Sequence, residues 1–253
     1  MKKCIYLMLL CATIVCLSSC SKDDDVEFPL NNLSVNNLSV NKSSYTVKPN
    51  KTIKIDGIGL SNISWNSSNE FVATAVNEKI TSGYVGECTL QYGNVVLYVN
   101  VKPEYNLYTE PKLSWGTSLS KIKAENGTPY YSSNSLLIYK SGNSAAPYNV
   151  YMFESGYLSS IGVIVNMSYY QTLIEFLTER YMVTDISSSS YIASFMHIYG
   201  KKSQPKSDYS VALAYENNFN GILVGYFQNS STKSVCSNNE LNEMLKQLEE
   251  LNW

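Results

Sequence analysis

The chain has 253 residues, 44% of them hydrophobic and 16% charged, with a formal net charge of -2. That is apolar enough for packed cores, too sparsely charged for a disordered solvating chain, and long enough for one or two domains. Arg180 is the only arginine and His197 the only histidine. A nucleic-acid partner, which calls for a basic arginine-bearing face, and a His-rich metal site are thereby excluded; no metal and no cofactor is expected.

Lys2 and Lys3 precede an apolar run at 4–17. The run is too short to cross a bilayer about 30 Å thick and reads as the core of a secretory signal over 1–19. Leu17-Ser18-Ser19-Cys20 resembles the bacterial lipobox. The resemblance implies cleavage before Cys20, lipidation at Cys20, and the outer membrane as a partner through the lipid anchor. Ser21-Lys22-Asp23-Asp24-Asp25 is similar to the acidic export tag of Bacteroidetes-type surface lipoproteins, which implies an outer-leaflet anchor facing the medium. A solvated acidic linker is the plainer alternative. After cleavage only Cys88 and Cys236 remain besides Cys20. The compartment permits a disulfide, but the two fall in different predicted domains and sequence fixes no connectivity.

Residues 20–32 read as a lipidated tether, with Leu-Ser-Val-Asn at 33–36 recurring at 38–41. Short alternating runs follow at Tyr45–Val47, Thr52–Ile55, Ile63–Trp65, Val72–Val76, Thr89–Tyr92 and Val95–Val101, separated by Asn, Gly, Pro and Ser. This spacing predicts an all-β sandwich over 33–103. Trp65-Asn66-Ser67-Ser68-Asn69, Val72-Ala73-Thr74, Ile80-Thr81 and Gly86-Glu87-Cys88-Thr89-Leu90 together resemble the bacterial Ig-like domain, group 2. Cys88 stands where that family has a small buried alanine, and is expected as a core thiol. Pro103 ends the last strand, and the boundary is placed near 103–110.

Residues 111–253 read as an α+β domain. Ser118 caps a short helix that Gly127 and Pro129 end. Strands follow at 136–139, 148–153 and 158–165. Residues 171–181 carry a helical stripe, and strands recur at 192–199, 209–215 and 219–227. Phe153-Glu154 matches Tyr215-Glu216, and Ile161 and Val163 match Ile222 and Val224. The expectation is two helix-plus-antiparallel-strand repeats forming one sheet with helices on one face. A last helix at 238–251 carries Leu241, Met244, Leu245, Leu248 and Leu251 on one stripe. Gly116, Ser118, Ile122, Gly127, Pro129, Tyr139, Phe153, Gly156 and Leu158 are similar to the pattern of small outer-membrane assembly lipoproteins and the β-lactamase inhibitor protein fold. That resemblance implies an exposed sheet face that binds proteins.

Catalytic signatures are scarce: no phosphate-cradling loop, nucleophile elbow or metal-binding histidine pair occurs. His197 alternates with apolar neighbours and is expected as a satisfied strand residue. Glu154 and Glu216, at equivalent turns, are expected to be solvated. What stands out is 21 tyrosines, large contact surfaces with one hydroxyl each. Tyr148, Tyr151 and Tyr157 are the candidate ligand-binding residues. The expected function is a non-catalytic surface lipoprotein whose Ig-like spacer presents a domain that binds an extracellular protein or glycan. The alternatives are an accessory subunit of an outer-membrane complex, or an enzyme acting on extracellular polymers.

Overall fold

The computed structural model describes residues 34–35, 38–187, 192–229 and 238–251. Cys20, the signal over 1–19, the tether at 20–32 and Cys236 lie outside the described residues.

The N-terminal part is a β-sandwich. Its strands are β1 (Ser34–Val35), β2 (Leu38–Val40), β3 (Ser44–Val47), β4 (Thr52–Lys54), β5 (Gly57–Ile58), β6 (Asn66–Ser67), β7 (Ala73–Val76), β8 (Lys79–Ser82), β9 (Gly86–Tyr92) and β10 (Val95–Val101). They form three sheets, ordered β1-β2-β5, β3-β10-β9-β6 and β4-β8-β7. Strand period 2 sends Val95, Leu97, Val99 and Val101 inward. There they share one core with Leu38, Trp65, Ile80, Cys88 and Leu90. Trp65 is satisfied as well as buried, its indole Nε1 donating to Asn77 O at 3.0 Å. Burial pushes the Cys88 thiol pKa up, as expected of a core thiol.

The second part is built on one eight-stranded sheet. In chain order come α1 (Leu119–Asn126), β11 (Tyr131–Ser132), β12 (Leu136–Lys140), β13 (Tyr148–Glu154), β14 (Tyr157–Asn166), α2 (Tyr170–Thr178), β15 (Met182–Ser187) and β16 (Ile192–Met196). A small hairpin, β17 (Tyr199–Lys201) and β18 (Gln204–Lys206), then precedes β19 (Tyr209–Glu216), β20 (Gly221–Gln228) and α3 (Asn238–Glu249). The sheet order is β11-β12-β13-β14-β20-β19-β16-β15, every pair antiparallel. At its centre β14 meets β20, with Gly162 opposite Gly225 and Val163 opposite Val224.

Both faces of this sheet are apolar. One carries Leu137, Ile161, Val163, Val211, Leu213 and Val224. The other carries Leu136, Ile138, Val150, Ile164, Ala212 and Leu223. The two faces are covered differently. α1, through Ile122, and α2, through Leu173, Phe176 and Leu177, lie on the first face. α3, through Leu241, Met244 and Leu248, lies on the second. Its path is smoothed by glycine: a Cβ on Gly162 would come within 2.8 Å of Leu223 Cδ1 and 3.0 Å of Met244 Sδ.

The expected α+β domain of two helix-plus-strand repeats with helices on one face is therefore corrected. Among the described residues the protein is mostly β, 47% strand and 15% helical, and the helices divide between opposite faces. The physical reason is length. Helices of eight and nine residues cannot cover eight strands, and strands apolar on both faces need cover on both. The segment expected to link the domains supplies the missing cover: Leu107 is buried in the first-face core, and Tyr105, Tyr108, Leu113 and Trp115 pack against it.

That cover is pinned to the sandwich at two places. Glu179 and Arg180, just after α2, form a buried ion pair at 2.5 Å. The Glu179 carboxylate accepts Glu104 N at 2.9 Å and Tyr105 N at 3.1 Å. The Arg180 guanidinium donates to Phe176 O at 2.9 Å and Tyr105 O at 3.2 Å, and Val85 N donates to Glu179 O at 2.8 Å. At the second place the β17–β18 hairpin reaches the turn after Trp65. Lys201 Nζ donates to Asn66 Oδ1 at 2.5 Å and Ser67 O at 2.6 Å, and lies 3.3 Å from Glu70 Oε1. Glu70 N donates to Gly200 O at 2.8 Å, and Lys202 N donates to Glu70 Oε2 at 2.8 Å.

Removing the Glu179 carboxylate takes the nearest carboxylate from the buried Arg180 guanidinium and the acceptor from the part-buried amides of Glu104 and Tyr105. Glu179→Ala is expected to cost about 3 kcal/mol, read from urea denaturation. A loss under about 0.5 kcal/mol would show that the junction is not held by this side chain.

Candidate functional site

The three tyrosines singled out from sequence do not converge. Tyr148 and Tyr151 are three residues apart on β13, so pleating sends them to opposite faces. Tyr151 packs on the first-face core beside Tyr139, ring centroids 5.7 Å apart. Tyr157, 58% exposed, stands at the start of β14, bridged to Ser118. Tyr148 alone belongs to an aromatic group.

That group is assembled from four separate stretches of chain. Lys140 and Tyr148 are direct cross-strand partners on β12 and β13. Lys140 Nζ lies 4.4 Å from the centroid of the Tyr130 ring, a cation–π distance. Tyr130 is 5.7 Å from Tyr148, and Tyr148 is 4.8 Å from Phe219. The result is a strip on the second face of the sheet, toward its β11 edge. Tyr130 is 47% exposed at its outer end. Sequence reasoning singled out Tyr148 as a binding residue but not Tyr130, Lys140 or Phe219. Periodicity within one strand carries no sign of partners on other strands.

Phe219 is held in place by a buried acid. Glu216, expected to be solvated, is 1% exposed. Its carboxylate accepts Phe219 N at 2.7 Å and Asn218 N at 3.2 Å. Asn218 Nδ2 donates to Leu248 O at 2.8 Å, tying the turn to the end of α3. Asn220 adopts a positive φ of 46°, and Tyr215 Oη donates to its side chain at 3.0 Å. Desolvation pushes the Glu216 pKa above the ordinary carboxylate range, against the pull of the two amides and with the Glu249 charge adding to the rise. Glu154, at the matching turn, is exposed.

A second polar group lies on the first face, near the sandwich. Tyr108 and Tyr226 share a hydroxyl bond at 2.8 Å. Tyr181 donates to Glu110 and lies 3.3 Å from Tyr209 Oη. Arg180 Nε is 3.4 Å from the Glu110 carboxylate. Burial holds the Tyr108, Tyr181, Tyr209 and Tyr226 hydroxyls well above the usual phenol range. They are neutral hydrogen-bonding groups at any physiological pH. His197 sits just past β16, stacked on Tyr209 at 4.7 Å, its Nδ1 2.5 Å from Asp208 Oδ1. It is a satisfied, partly exposed ring, and its neighbours are tyrosines and a carboxylate.

The Glu216 pKa has a stability consequence. A raised folded-state value means a contribution present below the unfolded carboxylate pKa, about 4.3, and lost as pH rises through the folded value. As pH falls from neutral toward that unfolded value, the wild-type urea midpoint is expected to rise relative to that of Glu216→Gln. Identical pH slopes in the two proteins would remove Glu216 as the source.

Comparison of the chain with protein-family models, with curated proteins and with solved structures found no match.

Proposed function

We propose that this chain is a non-catalytic cell-surface lipoprotein, anchored to the outer membrane through Cys20, whose β-sandwich is a fixed spacer for a sheet domain that binds an extracellular protein or glycan. The observation that carries this reading is the aromatic strip of Tyr130, Tyr148 and Phe219 with Lys140. Aromatic faces and a cation offer stacking and hydrogen bonding to sugar rings or to peptide side chains at little cost in rotamer freedom.

The position of the strip supports a presenting role. The sandwich is joined next to β15 and β16, through Glu179, Arg180 and the β17–β18 hairpin. Lys140 and Tyr148 of the strip lie on β12 and β13, and Phe219 lies on the β19–β20 turn, at the opposite end of β19 from the β17–β18 hairpin. Five strand spacings separate β16 from β12 in the sheet order, roughly 24 Å. A ligand at the strip is therefore clear of the sandwich.

The test is binding of the purified chain to a glycan array, together with co-purification from cells in mild detergent. Tyr130→Ala combined with Tyr148→Ala is expected to weaken whatever is captured by tenfold or more, ~1.4 kcal/mol. Tyr157→Ala should leave it unchanged. Equal effects of these variants, or none, would sink the strip as the binding face.

A further inference from the structure

The sandwich has two poles. The β7–β8 hairpin runs between them, with Ala73 opposite Ser82 and Val76 opposite Lys79. Its open end meets the sheet domain through Glu70 and Val85. Its closed end, at Asn77 and Glu78, lies beyond the strand Ala73–Val76, which is roughly 10 Å long at 3.3 Å per residue. The loop at 57–61 is fastened beside that closed end. Ile55 N donates to Glu78 O at 2.7 Å, Asn77 N to Ile63 O at 2.8 Å, and Ile63 N to Asn77 Oδ1 at 3.1 Å.

This far pole carries two open apolar side chains among polar neighbours. Ile58 is 68% exposed and Val76 is 61% exposed, the most open large hydrophobic side chains among the described residues. Val76 lines an open depression of about 740 Å³ of mixed character, together with Gly57, Gly59, Leu60, Glu78 and Lys79 among others. The charges here balance: Lys54 is 3.4 Å from Glu78, and Lys79 and Asp56 stand nearby. The chain enters the sandwich at the same place. Ser34 on β1 pairs with Ser39 on β2, which pairs with Ile58 on β5. Ser34 is thus two strand spacings, roughly 10 Å, from Ile58. Residues 21–33 have a fully extended reach of roughly 45 Å.

We infer that the pole formed by residues 57–61 and 76–79 rests on the lipid surface, with Ile58 and Val76 seated at headgroup depth. This inference depends on the lipid anchor at Cys20 proposed above. The tether leaves the sandwich beside this pole and so favours its approach to the bilayer over that of the opposite one. Two open apolar side chains then add a second attachment to the acyl anchor, and stable membrane binding calls for more than one signal. Balanced charge suits a contact made by apolar burial. With the near pole on the lipid, the sheet domain and its aromatic strip stand at the far side of the sandwich.

The test uses the full acylated chain, with Cys236→Ser, reconstituted into phosphatidylcholine vesicles. The buried Cys88 is left in place. Ile58→Cys, Val76→Cys and Tyr98→Cys each carry a nitroxide; Tyr98 is 60% exposed and lies away from the pole. On reconstitution, the ratio of oxygen to nickel-chelate accessibility should rise severalfold at 58 and 76 and stay unchanged at 98. Three labels that respond alike, or labels at 58 and 76 that stay as water-accessible as in detergent, overturn the inference. So do labels at 58 and 76 already shielded before lipid is added, which would mean that the chain's own residues 21–33 cover the pole. The anchor is judged separately, by the mass of the mature N-terminus and by vesicle flotation. If Cys20 proves unacylated, the same labels on the soluble chain mixed with vesicles decide alone, and no change there overturns the inference.

Discussion

The structure depends on a sheet that is apolar on both faces. β14 and β20 carry nearly continuous apolar runs, Ile161 to Val165 and Ile222 to Val224. Each such side chain is worth about 1.5–3 kcal/mol when buried, so neither face tolerates water. α3 covers one face, aided by Gly162 at the centre. The other is too wide for α1 and α2, and chain from 105 to 115 completes it. A segment that would otherwise be a free linker thereby becomes core. Domain orientation follows from this, since a linker packed into a core cannot swing.

The polar groups at the junction follow from the same constraint. Chain laid over a core has backbone amides to satisfy, and buried amides without partners are costly. Glu179 takes those of Glu104 and Tyr105, and Arg180 takes the carbonyl of Tyr105. The four buried tyrosine hydroxyls are likewise paired, with one another or with Glu110. Tyr139 is an exception: its hydroxyl is buried without a partner, and nothing in the structure accounts for it.

Much of the secondary structure was legible in the sequence because the relevant signals are local. Ser118 and Gly127 bound α1 as their cap chemistry implies, with Ser118 Oγ accepting Lys121 N and Gly127 at a φ of 77°. The strands near 136, 148, 158 and 209 stand within a residue of their apolar runs. The small hairpin at 199–206 was not legible: its sequence is polar, and it owes its form to docking on Asn66, Asn69 and Glu70. The helical stripes read at 171–181 and 238–251 correspond to helices at 170–178 and 238–249, yet suggested a helix-rich layer. Stripe width says how much a helix buries and not which face of a sheet it lies on. Glu216 was misjudged for a related reason. A glutamate at a turn is ordinarily solvated, and only the arrival of α3 at the turn encloses this one.

The strip shows most plainly what one-dimensional pattern omits. Tyr130, Lys140, Tyr148 and Phe219 span 90 positions of chain and meet because β12 pairs with β13 while Glu216 turns Phe219 toward them. Abundance of tyrosine was visible, but the face each ring takes is set by register. The trio Tyr148, Tyr151 and Tyr157 fails on that ground alone, since a separation of three along β13 reverses the face. Register also bears on the free edges of the sheet. β11 is only two residues long, and β15 is interrupted between Val183 and Asp185, both of which discourage pairing with another chain. With its edges blunted in this way, the sheet's remaining route to a partner is through side chains on a face, and the aromatic strip is where that face stays open.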